Sequence, residues 1–154
     1  MKNDVLNVLI FGATGGCGSQ ALSYLLKEGC VHVTAIVRDE SRLPMPVRGH
    51  KDLTVVVAPD GHLNATVELE QYLVGCDAVI SALGHNLTFS GVFGAPKHLC
   101  SDTASIVCGL IKKLAPVKPI KFIVIGTEGV DRLDGSDPRR GFGERFLLTL
   151  LWLL

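Results

Sequence analysis

Short apolar runs rich in β-branched residues alternate along this chain with longer stretches whose apolar positions recur every three or four residues. Residues 5–11 (VLNVLIF) read as a buried strand. A helix is expected over 19–27, with Ala21, Leu22, Leu25 and Leu26 on one face and Gly29 closing it. Residues 31–37 (VHVTAIV) make a second strand. The stretch 41–52 holds two prolines, a glycine and several charges, so it reads as a loop with at most a short helix. A third strand follows over 53–57, then a helix over 65–74 carrying Val67, Leu69, Tyr72 and Leu73. Residues 77–82 (DAVISA) form the fourth strand. A longer helix over 97–114 carries Ile106, Leu110, Ile111 and Leu114. Pro116 and Pro119 punctuate the turn into a fifth strand over 121–125 (KFIVI).

Strands that are apolar throughout and separated by helices predict a parallel sheet covered on both faces. Right-handed crossovers then give an α/β, doubly wound, Rossmann-like sandwich of about five strands. The 154 residues contain no internal linker, repeat or low-complexity tract, so one domain over 1–154 is expected.

The seventeen glycines matter where they cluster. Between the first strand and the first helix stands Gly12-Ala13-Thr14-Gly15-Gly16-Cys17-Gly18. Gly12, Gly15 and Gly18 make G-x-x-G-x-x-G, while Gly16, Gly18 and Ala21 fit G-x-G-x-x-A, and spacing alone leaves both registers open. In either, a missing Cβ permits a tight turn and lets backbone N–H groups approach a pyrophosphate. The helix that follows points its positive end at that anion. The bland alternative is a strand-to-helix turn that binds nothing. Cys17, near the helix start, is read mainly as a small side chain fitting a crowded turn.

In such folds the residue ending the second strand meets the adenosine ribose, where an acid favours NAD and an arginine accommodates a 2′-phosphate. Here the strand ends Ile36-Val37-Arg38-Asp39, with Arg42 close behind, which favours NADP(H). The alternative makes Arg38 a solvated loop charge and has Asp39 open a turn.

Charge and composition narrow the picture further. Fifteen basic residues against fifteen acidic ones argue against a nucleic-acid partner, which demands a basic excess. A 47% hydrophobic and 19% charged chain is not a disordered one. The cysteines (Cys17, Cys30, Cys76, Cys100, Cys108) include no C-x-x-C pair and the histidines no H-x-x-x-H pair, so no metal site is expected. Unpaired cysteines and a start without a long apolar leader point to the cytoplasm.

Three segments in order, the glycine loop, Val37-Arg38-Asp39 and 75–84 (GCDAVISALG), resemble the atypical short-chain dehydrogenase/reductases. More narrowly, they look like the NAD(P)-binding branch that holds the flavin/biliverdin-IXβ reductases and the nitrogen-metabolite-repression type regulators. The likeness runs from the first strand to the fifth. It implies that Gly12, Thr14, Gly15, Gly16, Cys17 and Gly18 surround the pyrophosphate and that Arg38 and Arg42 hold the 2′-phosphate. It also implies Asp60 beside the adenine, with Pro59 replacing a usual small residue, and Ala82, Leu83 and Gly84 along the riboses. Thr127 falls where the family often has a serine near the nicotinamide.

The wider superfamily uses a Y-x-x-x-K pair, and this chain has none. Its tyrosines are Tyr24 and Tyr72, followed four residues later by Glu28 and Cys76. Any reduction then uses another proton donor or solvent. His85, at the carboxyl end of the fourth strand, is either that donor or a loop histidine without catalytic duty. The apolar, glycine-rich stretch 88–96 is either a substrate lid or a plain connection, and 131–143 reads as a mobile loop that in relatives contributes to the substrate side.

The sequence therefore reads as an NADP-binding reductase-like protein passing hydride to a flavin, quinone or similar small conjugated acceptor. One rival is a non-catalytic NADP-binding sensor or regulatory protein, and a second is an isomerase or dehydratase that uses the cofactor transiently. The chain stops inside an apolar run, 146–154, about 14 Å long as a helix and too short for a transmembrane span. Relatives continue past this helix into further substrate-side elements, so the chain reads as shortened, either naturally or as a fragment. On that reading Leu147, Leu150, Leu151 and Leu154 invite homodimerisation.

Overall fold

The computed structural model describes residues 5–58, 65–84 and 99–125, together with Gly141. Five strands run through the first three segments: β1 (Leu6–Phe11), β2 (Val31–Val37), β3 (Leu53–Val57), β4 (Ala78–Ser81) and β5 (Lys121–Val124). Between them lie α1 (Gly16–Lys27), α2 (Ala65–Leu73) and α3 (Leu99–Leu114). All neighbouring strands pair in parallel, in the order β3-β2-β1-β4-β5. The expected doubly wound parallel sheet is what the chain forms.

The apolar strands explain the winding. Successive side chains of a strand face opposite ways, and from Val8 to Phe11 both sets along β1 are apolar and buried. Val8 and Ile10 join Val33 and Ala35 of β2 in one core, covered by Leu22 and Leu26 of α1. Leu9 and Phe11 join Ile36 and Val79 in a second, covered by Leu69 and Leu73 of α2 and Val107 and Leu110 of α3. A sheet apolar on both faces needs a helical layer on each, and the crossovers supply them.

Three details depart from the sequence pattern. Helix α1 starts at Gly16 rather than at residue 19, so the end of the glycine loop is the helix's first turn. Glycines are poor helix formers, and close packing of this turn on the loop outweighs their propensity. The segment read as a loop over 41–52 winds into two 3-10 turns, the first starting one residue earlier, Glu40–Arg42 and Met45–Val47, and sends Leu43 and Val47 into the first core. On α3 the buried line is Thr103, Val107 and Leu110, with Ile106, Ile111 and Leu114 packing at its borders. Thr103 is polar and leaves no mark in an apolar pattern. The 146–154 run lies outside the described residues.

At the amino edge of the sheet the elements are fastened by polar contacts. The Asp77 carboxylate accepts from the Asn7 backbone N–H at 2.9 Å and pairs with Lys118. The Asn7 side chain donates to the Gly75 carbonyl at 3.2 Å. Lys118 first, and then the Asn7 N–H, hold the Asp77 carboxyl below its usual value. Cys76 is buried beside them and its thiol donates to the Ala78 carbonyl at 3.1 Å. Burial pushes that thiol's pKa up, which suits a structural cysteine and not a reactive one. Among the described residues no helix is long and apolar enough to cross a membrane, and no cluster of ligand side chains could hold a metal ion.

The Asp77 contacts carry a pH signature. A carboxylate with a lowered folded pKa stabilises above its unfolded value, near 3.8, and that stabilisation is lost as the pH falls through the folded value. Asp77→Asn is expected to lower the urea midpoint at pH 7. The difference from wild type should close below pH 3.8, and an equal difference at pH 2.5 and pH 7 would disprove the assignment.

Candidate functional site

Leaving β1, the chain turns at Gly12, whose φ of +77° suits glycine. A Cβ at Gly12 would stand 2.5 Å from the carbonyl oxygen of Ala82, on the segment leaving β4. A Cβ at Gly18 would collide with the Gly12 carbonyl oxygen and lie 2.8 Å from its carbon. The end of β1, the first turn of α1 and the exit of β4 therefore meet backbone to backbone. This geometry separates the two glycine registers. The space requirement falls on Gly12 and Gly18, with Gly15 between them donating its N–H to the Gly12 carbonyl at 3.0 Å. A Cβ at Gly16 would meet nothing within 4 Å.

Gly15 is the N-cap of α1, so no side chain caps the helix, and its first turn holds no acidic residue. The Ser19 N–H makes the first bond back, to the Gly15 carbonyl at 2.8 Å. The N–H groups of Gly16, Cys17 and Gly18 thus precede the first intrahelical bond, at the positive end of the helix dipole. Thr14 is half-buried beside them, and Gly15, Gly16 and Cys17 are exposed.

This loop stands at the topological switch point. The chain leaves β1 on one side to build β2 and β3, then crosses to the other for β4 and β5. Outside the carboxyl ends of such strands lies the crevice where ligands bind in open α/β sheets. The Ala82 N–H continues the ladder to the Phe11 carbonyl at 2.9 Å, and Leu83 packs on the second core, so the β4 exit is held firmly. Gly84 is exposed.

On the other flank, the pairing of Phe11 with Ile36 brings the end of β2 beside the glycine turn. Arg38 is the first residue beyond β2 and is exposed, as is Arg42 in the following 3-10 turn. Asp39 caps that turn, its carboxylate accepting the Ser41 N–H at 2.9 Å. The Ser41 hydroxyl and N–H, with Arg42 and Arg48 adding smaller attractions, hold its pKa below the usual value. Asp39 therefore does open a turn, with one carboxylate oxygen already engaged.

The structure thus brings together Gly12, Thr14, Gly15, Gly16, Cys17 and Gly18 with Ala82 and Leu83, with Arg38 and Arg42 on the β2 side. Asp60, His85 and Thr127 lie outside the described residues. Sequence reasoning missed Arg48, whose Nε donates to the Leu43 carbonyl at 2.8 Å and whose Nη2 donates to that of Ser41. Only its place within a loop already rich in arginine hinted at a role.

A family model described as NAD(P)H-binding matches residues 12–146. The chain belongs to this NAD(P)H-binding family. The match starts at Gly12, the first glycine of the crowded turn, and the expected NAD(P)-binding class stands. No curated protein matches the chain. Among solved structures it is similar to Gre2 from Candida albicans at 17% identity and a TM-score of 0.62, over 87% of this chain and 40% of that one. A wide-type short-chain dehydrogenase/reductase from Veillonella parvula, in complex with NADP, matches at 23% identity and a TM-score of 0.56, over 80% and 48% of the two chains. UDP-N-acetylglucosamine 4-epimerase from Methanobrevibacter ruminantium matches at 21% identity and a TM-score of 0.61, over 89% and 43%. The chain spans less than half the length of each of these three, and the likeness is one of fold, in agreement with the resemblance to short-chain dehydrogenase/reductases.

The crowded turn has a direct test. Gly12→Ala or Gly18→Ala forces overlap with backbone, an overpacking that costs about 1–3 kcal/mol. The thermal midpoint should fall by roughly 3–10 °C, whereas Gly16→Ala should leave it unchanged or higher. Equal effects at Gly16 and Gly18 in differential scanning calorimetry would contradict the close-approach geometry.

Proposed function

We propose that the chain is the cofactor-binding part of an NADP-dependent reductase that delivers hydride to a small conjugated acceptor such as a flavin or quinone. The observation that carries the reading is the pairing of an uncapped glycine turn with an arginine-flanked β2 end. The N–H groups of Gly16, Cys17 and Gly18 would take the pyrophosphate, and the open face at Gly16 leaves room for its approach. Arg38 and Arg42 would hold the 2′-phosphate through charge-assisted bonds. Asp39, engaged with Ser41, competes poorly for the ribose hydroxyls that an NAD-selective acid would accept. Ala82, Leu83 and Gly84 would line the riboses from the β4 side, with Asp60 near the adenine and Thr127 and His85 toward the nicotinamide.

When bound, the cofactor supplies the hydride, and the chain's part is to fix its orientation. This chain carries no Y-x-x-x-K pair, and its two tyrosines do not replace one. Tyr24 is exposed on α1, and Tyr72 packs against the second core on α2. A proton would come from His85, Thr127 or solvent. The same absence supports the second reading, a non-catalytic sensor whose surface reports NADP binding to a protein partner.

Titration calorimetry with NADPH and NADH tests the cofactor reading. NADPH should bind more tightly, and Arg38→Ala should weaken it about tenfold or more while changing NADH affinity by less than about threefold. Tighter binding of NADH by the wild type would reject it. Loss of NADPH absorbance with a panel of flavins and quinones then separates the readings. Turnover with any member supports the reductase, and tight binding without turnover across the panel supports the sensor.

A further inference from the structure

Ten residues separate the end of β2 from Arg48, and they fold back so that this arginine returns to the segment carrying Arg38 and Arg42. Its Nε bonds the Leu43 carbonyl at 2.8 Å and its Nη2 bonds the Ser41 carbonyl. One guanidinium thus ties two backbone acceptors, one inside the 3-10 turn and one at its end. The same turn is tied from the other side, where the Asp39 carboxylate accepts the Ser41 N–H at 2.9 Å and the Leu43 N–H bonds the Glu40 carbonyl at 3.0 Å. Below it, Leu43 and Val47 are buried in the first core, Leu43 almost completely. Ser41 is therefore the shared point, its carbonyl held by Arg48 and its N–H holding Asp39.

We propose that Arg48 is a positioning residue for dinucleotide selectivity. By keeping Ser41 and Leu43 in place it keeps the turn wound and the Asp39 carboxylate occupied, so that Arg38 and Arg42 are the groups offered to the adenosine ribose. A planar fork with several fixed donors suits this task, because one side chain must reach two carbonyls at once. Loss of the tie frees the Ser41 carbonyl, lets the turn unwind and releases Asp39 toward the ribose hydroxyls. The effect is a change of preference, because the glycine cradle at Gly12, Gly18 and Ala82 has no part in it.

This inference rests on the NADP-binding reading above, and the experiment distinguishes the two. The wild-type 154-residue chain, Arg48→Met, Arg48→Lys and Arg38→Ala are titrated with NADPH and with NADH by calorimetry. Arg48→Met is expected to lower the ratio of NADPH to NADH affinity about tenfold, by loss at NADPH with NADH unchanged or improved. Arg48→Lys, able to reach one carbonyl, should recover part of the ratio. A wild type without preference for NADPH overturns both readings. A wild-type preference that Arg38→Ala lowers and Arg48→Met leaves intact overturns only the role of Arg48. Equal loss of both cofactors marks a merely structural arginine and overturns it as well. Should Arg48→Met fail to fold, the ratio in Arg48→Lys decides, since an unchanged ratio there with a weakened melting temperature again means structure alone.

Discussion

Everything at the carboxyl edge of this sheet depends on one close approach, in which three backbone segments meet with no side chain between them. Gly18 lies on Gly12, and Gly12 lies on the Ala82 carbonyl. The first contact fixes where α1 begins relative to β1, and the second fixes how near β4 comes to the same turn. Because the approach is set by backbone atoms, no side chain can be added at Gly12 or Gly18 without moving the chain. The helix end, with its N–H groups directed outward, is consequently aimed by the sheet itself.

The β2 flank is built on different principles. There the chain is anchored from below by Leu43 and Val47 and tied from above by Asp39 and Arg48. The anchors hold the loop to the core, and the polar ties engage Asp39 and Arg48 while Arg38 and Arg42 stay exposed. Binding groups carried on loops need such support, since an exposed arginine has little positional preference of its own. An arginine-rich loop over a proline-punctuated, buried base is thus a scaffold as much as a charged patch.

Much of this was legible in the sequence. Strands β2 and β3 fall on the residues that their β-branched runs mark, because such runs between turn formers have few alternatives. The glycine turn was visible as a cluster in the right place, although spacing could not say which glycines lacked room. That required knowing that Ala82 comes alongside, a contact across the sheet with no local trace. The early start of α1 was hidden for a similar reason, since packing overrides the weak propensity of Gly16 and Gly18. Arg48 left no pattern either. A bond from a side chain to two carbonyls depends on the fold of the loop, and nothing in composition marks it.

The central position of β1 has a consequence for how the molecule is made. Of the five strands it is the first to be synthesised, yet its partners lie far apart in the chain, Val31–Ile36 on one side and Ala78–Ser81 on the other. Its second partner emerges about seventy residues later, as the separation of Asn7 from Asp77 shows. Contacts that distant carry a large loop-closure cost and form slowly. During translation β1 therefore waits with one apolar edge open, and the glycine turn acquires its wall at Ala82 only when β4 arrives. The first of the five strands to be made is thus among the last to reach its native surroundings.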